Sequence, residues 1–273
     1  MKNIKVVIIS FLVCFAVFSL VCFGALKLSI YKAINTKLPK ENKYYEQKYI
    51  ECLKMLNIDI KNISNLKIER VKNVSLNKDE IKMSNETYTV SIDSKTEDLV
   101  AYIAAVTNFP KSTVTVEEAR KIANEIYDNL KIENKQEYKL ANISQFDEEL
   151  WRVDYLKEYE KVKNPGEKIT FSFSPQTKDI YNLVILRDKF AGNKVKVTEE
   201  KALKIAKTKM KSDKNQNVKE IKLDIVKPNN FFSYVFNFEK IKMRKAYVVI
   251  FENGIEIYVD ATNGKIIGGD AIL

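Results

Sequence analysis

Apolar residues follow two regimes along this chain. Residues 6–26 (VVIISFLVCFAVFSLVCFGAL) run for 21 positions without a charge. A helix rises 1.5 Å per residue, so this run crosses a hydrocarbon layer of about 30 Å. After it, apolar positions recur at helical or strand spacing and predict small mixed units. A cleaved signal peptide is the rival reading of the run, with Lys2 and Lys5 as its basic start. The length of the run and the weak small-residue site at Cys22 and Gly24 favour a retained anchor.

Two stretches predict helices from nearly the same words. Residues 114–123 read VTVEEARKIA and residues 197–206 read VTEEKALKIA. Thr115 suits a helix N-cap, with Glu118 three residues on to close a capping box. Thr198 is placed likewise, but Lys201 follows at the third position, so Glu199 and Glu200 help there through the helix dipole. Ala119, Ile122, Ala123, Ile126 and Leu130 form one apolar stripe; Ala202, Ile205 and Ala206 form its counterpart, with Lys204, Lys207 and Lys211 on the opposite face.

Alternating segments follow each helix. In the middle unit they predict strands at 138–143, 150–156, 168–173 and 180–185, with a turn at Asn164-Pro165-Gly166. In the last unit they predict strands at 218–226, 231–238, 246–252 and 255–259. Asn253-Gly254 suits a type I′ hairpin, which needs positive φ at both positions. Three segments also align without gaps: IDSKTEDL (92–99), FSPQTKDI (173–180) and VDATNGKI (259–266). In each, an apolar residue ends a strand, a polar tight turn follows, and an apolar residue opens the next strand. The first unit begins with an amphipathic stretch carrying Tyr49, Cys52, Leu53 and Leu56.

Composition then narrows the chemistry. The chain has no histidine, which removes the commonest general base and metal ligand. Ser-His-Asp triads, Cys-His dyads and His-based zinc sites are excluded. Cys14 and Cys22 lie in the apolar run and Cys52 stands alone, so neither a disulfide framework nor a cysteine metal site is expected. Net charge is +10, and residues 201–245 hold thirteen Lys or Arg against four Asp or Glu. Lys27, Lys32, Lys37, Lys40 and Lys43 after the apolar run pull against an N-inside orientation. Long domains translocate largely regardless of charge, however, and N-inside with the C-terminal part outside is the expectation.

The pattern T-x-E-E-A-x-x-I-A, then strands, then V-D-A-x-x-G-x-I resembles the PepSY module. It is carried by Thr115, Glu118, Ala119, Ile122 and Ala123, and again by Thr198, Glu200, Ala202, Ile205, Ala206, Val259, Asp260, Ala261, Gly264 and Ile266. The resemblance implies tandem modules, each a helix packed on an antiparallel sheet, as in membrane-anchored envelope proteins of Gram-positive bacteria. It also implies exported proteins that inhibit, chaperone or position peptidases and cell-wall hydrolases, and it supplies no catalytic residues.

Each remaining candidate site has a structural reading beside it. Glu117-Glu118, Glu199-Glu200 and Glu148-Glu149 resemble acid/base pairs, but adjacent helical residues do not face each other, and helix first turns or loops explain them. Asp260 suits a calcium ligand or, more commonly, a turn residue bonding its own backbone. Trp151, Val153 and Tyr155 share a strand face, as core or as an interface anchor. The basic stretch with Phe231, Phe232, Tyr234, Phe236 and Phe238 lacks any nucleic-acid-binding motif, and strand alternation explains its aromatics. Outside a cell its charge suits anionic lipid or wall polymer. Asn62, Asn73, Asn85 and Asn142 each precede x-Ser or x-Thr, which chance supplies in an Asn-rich chain.

The expected organisation is therefore α+β: a cytoplasmic tail (1–5), a transmembrane helix (6–26), a juxtamembrane segment (27–42), and PepSY-like modules at 43–107 (degenerate), 113–187 and 195–273. The expected function is non-catalytic: extracytoplasmic binding and regulation of an envelope peptidase, wall hydrolase or membrane sensor. The alternative is a structural envelope protein holding anionic polymer or lipid. No catalytic, cofactor or metal residue is assigned, nucleic acid is not an expected partner, and the sequence leaves the partner-binding residues open.

Overall fold

The computed structural model describes residues 31–33, 38–60, 63–73, 78–105, 109–210, 217–231 and 242–271. The apolar run at 6–26 and most of the aromatic strand expected at 231–238 lie outside them. No helix among the described residues is long and apolar enough to cross a membrane.

After a short strand β1 (Tyr31–Ala33), one motif recurs three times: a helix, then four consecutive antiparallel strands. The first is α1 (Asn42–Met55) with β2 (Lys67–Asn73), β3 (Lys78–Ser84), β4 (Tyr88–Asp93) and β5 (Leu99–Ala104). The second is α2 (Val116–Asn129) with β6 (Tyr138–Gln145), β7 (Trp151–Tyr159), β8 (Val162–Phe173) and β9 (Ile180–Arg187). The third is α3 (Glu199–Lys209) with β10 (Val218–Val226), β11 (Arg244–Phe251), β12 (Ile255–Asp260) and β13 (Ile266–Ala271).

The helices start where side-chain caps satisfy free backbone N–H groups. Thr115 Oγ1 accepts from Glu118 N–H, and the Glu118 carboxylate returns to the Thr115 N–H at 2.8 Å, completing the capping box. Thr198 Oγ1 accepts from Lys201 N–H at 3.3 Å. In α1 the stripe Tyr45, Tyr49, Cys52 and Leu53 turns inward. It packs with Ala119, Ala123, Ile126 and Tyr127 of α2 over one core that includes Ile81, Met83, Val90, Ile92, Phe171, Phe173 and Leu183.

That shared core reflects the topology. The first two meanders form a single nine-stranded sheet, ordered β1-β2-β3-β4-β5-β9-β8-β7-β6. The seam is antiparallel pairing of last strand with last strand, with Ala101, Tyr102 and Ile103 opposite Val184, Leu183 and Asn182. The third meander forms a separate sheet, β10-β11-β12-β13, with its own core of Val249, Phe251, Ile257 and Val259 under Ala202 and Ala206. Its last strand meets a side chain in place of a strand. Asn229 Nδ2 donates to Gly269 O at 2.8 Å while Asn229 Oδ1 accepts from Gly269 N–H at 3.0 Å.

The aligned polar segments adopt one turn in all three units. Glu97, Lys178 and Gly264, at equivalent positions, have φ of 61°, 61° and 75°. Each donates its N–H to the residue four before: Asp93, Ser174 and Asp260. Two expected turns differ. Asn164-Pro165-Gly166 lies inside β8, and the hairpin reverses at Glu160-Lys161, both at positive φ. Pro165 has no N–H to give the ladder, and the register accordingly slips there, from Leu156 opposite Lys168 to Lys157 opposite Asn164. At Asn253-Gly254 only Gly254 takes positive φ, and its N–H returns to Phe251 O at 3.0 Å. This is a three-residue loop rather than type I′.

Candidate functional site

The side chains singled out in the sequence are mostly consumed by structure. Glu118 is committed to the cap of α2, and the Thr115 backbone N–H and hydroxyl hold its carboxyl below the usual range. Glu117, Glu199 and Glu200 occupy helix first turns. Glu148 pairs with Lys111 at 2.5 Å, and its backbone carbonyl accepts from Ser112 N–H. Asp260 is 1% exposed; its Oδ1 accepts from Thr262 and Asn263 N–H groups, and its Oδ2 lies 2.6 Å from Arg244 Nε. It is a buried turn residue with a half-buried arginine partner. No group of three or more His, Cys, Asp or Glu is placed to hold a metal ion among the described residues. Trp151 is core: it is 4% exposed and its indole N–H donates to Ser112 Oγ at 2.8 Å. Cys52 is buried in the first core, where desolvation pushes its thiol up to about 11. Such a thiol is unreactive at neutral pH.

Two concave features stand out among the described residues. The first is a cleft of about 300 Å³ between α1 and α2, above the β5–β9 seam. Its floor carries Tyr88, Tyr102 and Ala104; the turn after α1 closes it with Leu56 and Asn57, and α2 with Glu125, Ile126 and Asn129. The turn before β9 supplies Lys178 and Asp179. Asn57 takes the left-handed conformation, and its side-chain amide donates to Asn129 O at 3.2 Å. Lys178 Nζ donates to both carboxylate oxygens of Glu125 at 2.8 Å. Sequence reading missed this site, because its walls come from segments up to about 120 residues apart that only the seam brings together.

The second feature is an open, mostly apolar groove beside α3. Ile205 and Ile266 form its base, and Lys201, Lys204 and Lys209 its rim. Here the sequence was informative, since the basic stretch and the helical stripe both fall on α3. The exposed strand edges are also distinguishable. β6 ends the nine-stranded sheet and carries a bulge between Leu140 and Asn142, a feature that blunts edge pairing. β13 is covered by Asn229, as described above.

The family model for the PepSY domain, described as peptidase propeptide and YPEB domain, matches residues 196–270. That span contains α3 and the four-stranded sheet up to Asp270. Comparison with curated proteins finds no match. Among solved structures, the C-terminal domain of Bacillus megaterium YpeB is similar at a TM-score of 0.45 and 15% identity, over 86% of this chain and 98% of that one. With α3 lying on an antiparallel meander at the matched residues, the third unit of this chain is a PepSY domain.

Proposed function

We propose that this protein is a non-catalytic, membrane-anchored binding module that regulates an envelope peptidase, a cell-wall hydrolase or a membrane sensor from outside the cytoplasm. The match of residues 196–270 to a family named for peptidase propeptides carries this reading. It is supported by the absence of histidine and by the caps, turns and ion pairs that engage Glu118, Glu148 and Asp260. The first two units repeat the helix-and-meander order of the third, and we read all three as related modules. The apolar run at 6–26 acts as the anchor. Tethering confines the modules to the membrane surface and raises their effective concentration against a partner there.

Crosslinking in intact envelopes followed by capture of the full chain tests the reading. Enrichment of a peptidase, hydrolase or sensor is expected; repeated capture without one defeats it. Protease added to intact protoplasts should cleave the C-terminal part. Protection there would place the modules in the cytoplasm and overturn the envelope assignment.

A second reading draws on the lysine-rimmed groove of α3. In it the PepSY domain holds anionic polymer or lipid, and retention on anionic polymer falls steeply as salt screens the lysines. Salt-independent retention removes it.

A further inference from the structure

The cleft between α1 and α2 has a chemical bias opposite to that of the whole chain. The protein carries +10, yet the ionisable groups lining the cleft are Glu125, Lys178 and Asp179 beside two tyrosines. Lys178 is matched by Glu125 through two 2.8 Å hydrogen bonds. The Asp179 carboxylate is left over. Only the backbone of Asp179 is engaged among the described residues, its N–H with Thr177 Oγ1 and its carbonyl with Ser174 N–H.

The floor gives a second, independent indication. Tyr102 lines the cleft and is 1% exposed as a residue, and its hydroxyl makes no hydrogen bond within the described residues and is not sealed off from the cleft's solvent. Burial first, then neighbouring Tyr88 and Asp179, raise its pKa above the ordinary range, so it stays a neutral hydroxyl able to accept an N–H. The rings of Tyr88 and Tyr102 lie 5.9 Å apart, and Phe109 adds a third at the wall. Aromatic faces attract cations. Leu56, Ile126 and Leu130 supply apolar wall for an aliphatic stem.

We propose that this cleft is a receptor for a basic side chain, arginine foremost, presented by a polypeptide partner. The guanidinium meets the Asp179 carboxylate and the Tyr102 hydroxyl, and its stem lies against Leu56 and Ile126. Arginine fits better than lysine because its planar fork offers several donors at fixed angles and stacks on rings. A volume of about 300 Å³ suits one long side chain, at the lower limit for ligand pockets. The polypeptide source rests on the regulatory reading above; the cationic chemistry rests on the cleft alone.

The test uses the full chain in nonionic detergent, with carbon-13-labelled tyrosines observed by NMR. The probes are N-acetyl-arginine N-methylamide, its uncharged isostere N-acetyl-citrulline N-methylamide, and agmatine. Saturable shifts of Tyr88 and Tyr102 are expected with the blocked arginine, and at least tenfold weaker binding with the citrulline probe. Asp179→Asn should weaken arginine binding about tenfold, and Tyr102→Phe severalfold with the ring retained. Equal binding of arginine and citrulline probes, no saturable binding, or an unaffected Asp179→Asn variant overturns the proposal. Agmatine binding more tightly than blocked arginine overturns the polypeptide source in favour of a free amine. If arginine binds but no envelope partner is captured, the regulatory reading fails and the cleft chemistry stands. A partner captured equally by Asp179→Asn sinks the cleft's role and leaves that reading intact.

Discussion

At the scale of single residues, the recurring strand-end turn shows what each side chain must offset. Its left-handed position costs a residue with a Cβ about 1–2 kcal/mol. In the first unit Glu97 holds it, bonded to Tyr44 and paired with Lys40 at 2.6 Å. In the second unit Lys178 holds it, paired with Glu125. In the third, Gly264 meets no such cost at φ 75°. Gly264→Ala therefore lowers stability by about 1–2 kcal/mol, with Ile205 Cδ1 only 3.1 Å from the added Cβ. Chemical denaturation of the full chain checks this. The repeat of these eight residues was legible in sequence because strand end, turn and strand start are contiguous. The left-handed position was not, since neither Glu97 nor Lys178 is a residue that ordinarily marks it.

Glu80 makes a second prediction at this scale. It is fully buried on β3, with Asn73 Nδ2 donating to its carboxylate at 2.8 Å. Burial raises its pKa above the ordinary carboxyl value, and the Asn73 hydrogen bond offsets this only in part. The folded chain therefore binds the Glu80 proton more tightly than the unfolded chain does. That contribution to stability is present below an unfolded pKa of about 4.3 and is lost as pH rises through the folded value. Glu97 and Glu118, whose pKa values are lowered, work in the opposite sense and lose stability as pH falls. Glu80→Gln keeps an acceptor for Asn73 and removes the titration. The variant should gain stability over the parent as pH rises from about 4 to about 7, measured by urea denaturation across that range.

At the scale of elements, α2 and α3 meet their sheets through small residues at matching places. Ala119 and Ala123 of α2, and Ala202 and Ala206 of α3, are all 0% exposed. Alanine at i and i+4 lets a helix backbone approach a sheet closely, and a larger side chain there must push the two layers apart. Ala206→Leu and Ala123→Leu should each cost about 1–3 kcal/mol by overpacking, read as a lower Tm. These helices were legible from cap to stripe because both signals are local. The strands of the middle unit were legible too, although β8 begins earlier than the alternation indicated. Val162 and Asn164 precede Pro165, and a proline in a strand pattern argues for a break. Here the chain absorbs it in a register slip, which depends on Lys157 across the hairpin and leaves no mark in the local pattern.

At the scale of the whole molecule, the pattern separates residues 43–107 from 113–187, whereas the structure runs them into one sheet and one core. The joining strands β5 and β9 are each explained locally as the last strand of a meander, so nothing nearby announces that they pair. The third meander forms its own sheet, and at the equivalent edge of β13 Asn229 bonds Gly269 and Ile267. It also attaches elsewhere. Phe190 bridges to Met243 in parallel fashion, Lys245 pairs with Glu160 at the β7–β8 hairpin, and Lys227 reaches Asp188 at 3.0 Å. The contact turns on Gly166. A Cβ there would lie 2.7 Å from Met243 Cγ and 2.9 Å from the Asp188 carbonyl oxygen. Methionine can bend away, but the carbonyl belongs to backbone whose Asp188 N–H is already bonded to Gly166 O at 2.7 Å. Gly166→Ala should therefore loosen the PepSY domain from the large sheet at a cost of about 1–3 kcal/mol. Hydrogen exchange should accelerate at Ala191, whose N–H bonds Met243 O across this junction at 2.9 Å, while Val249 and Ile257 in the domain's own core keep parental protection. Unchanged exchange at Ala191 would mean that Gly166 does not set the approach, and that the Lys245–Glu160 pair holds the two sheets together without it.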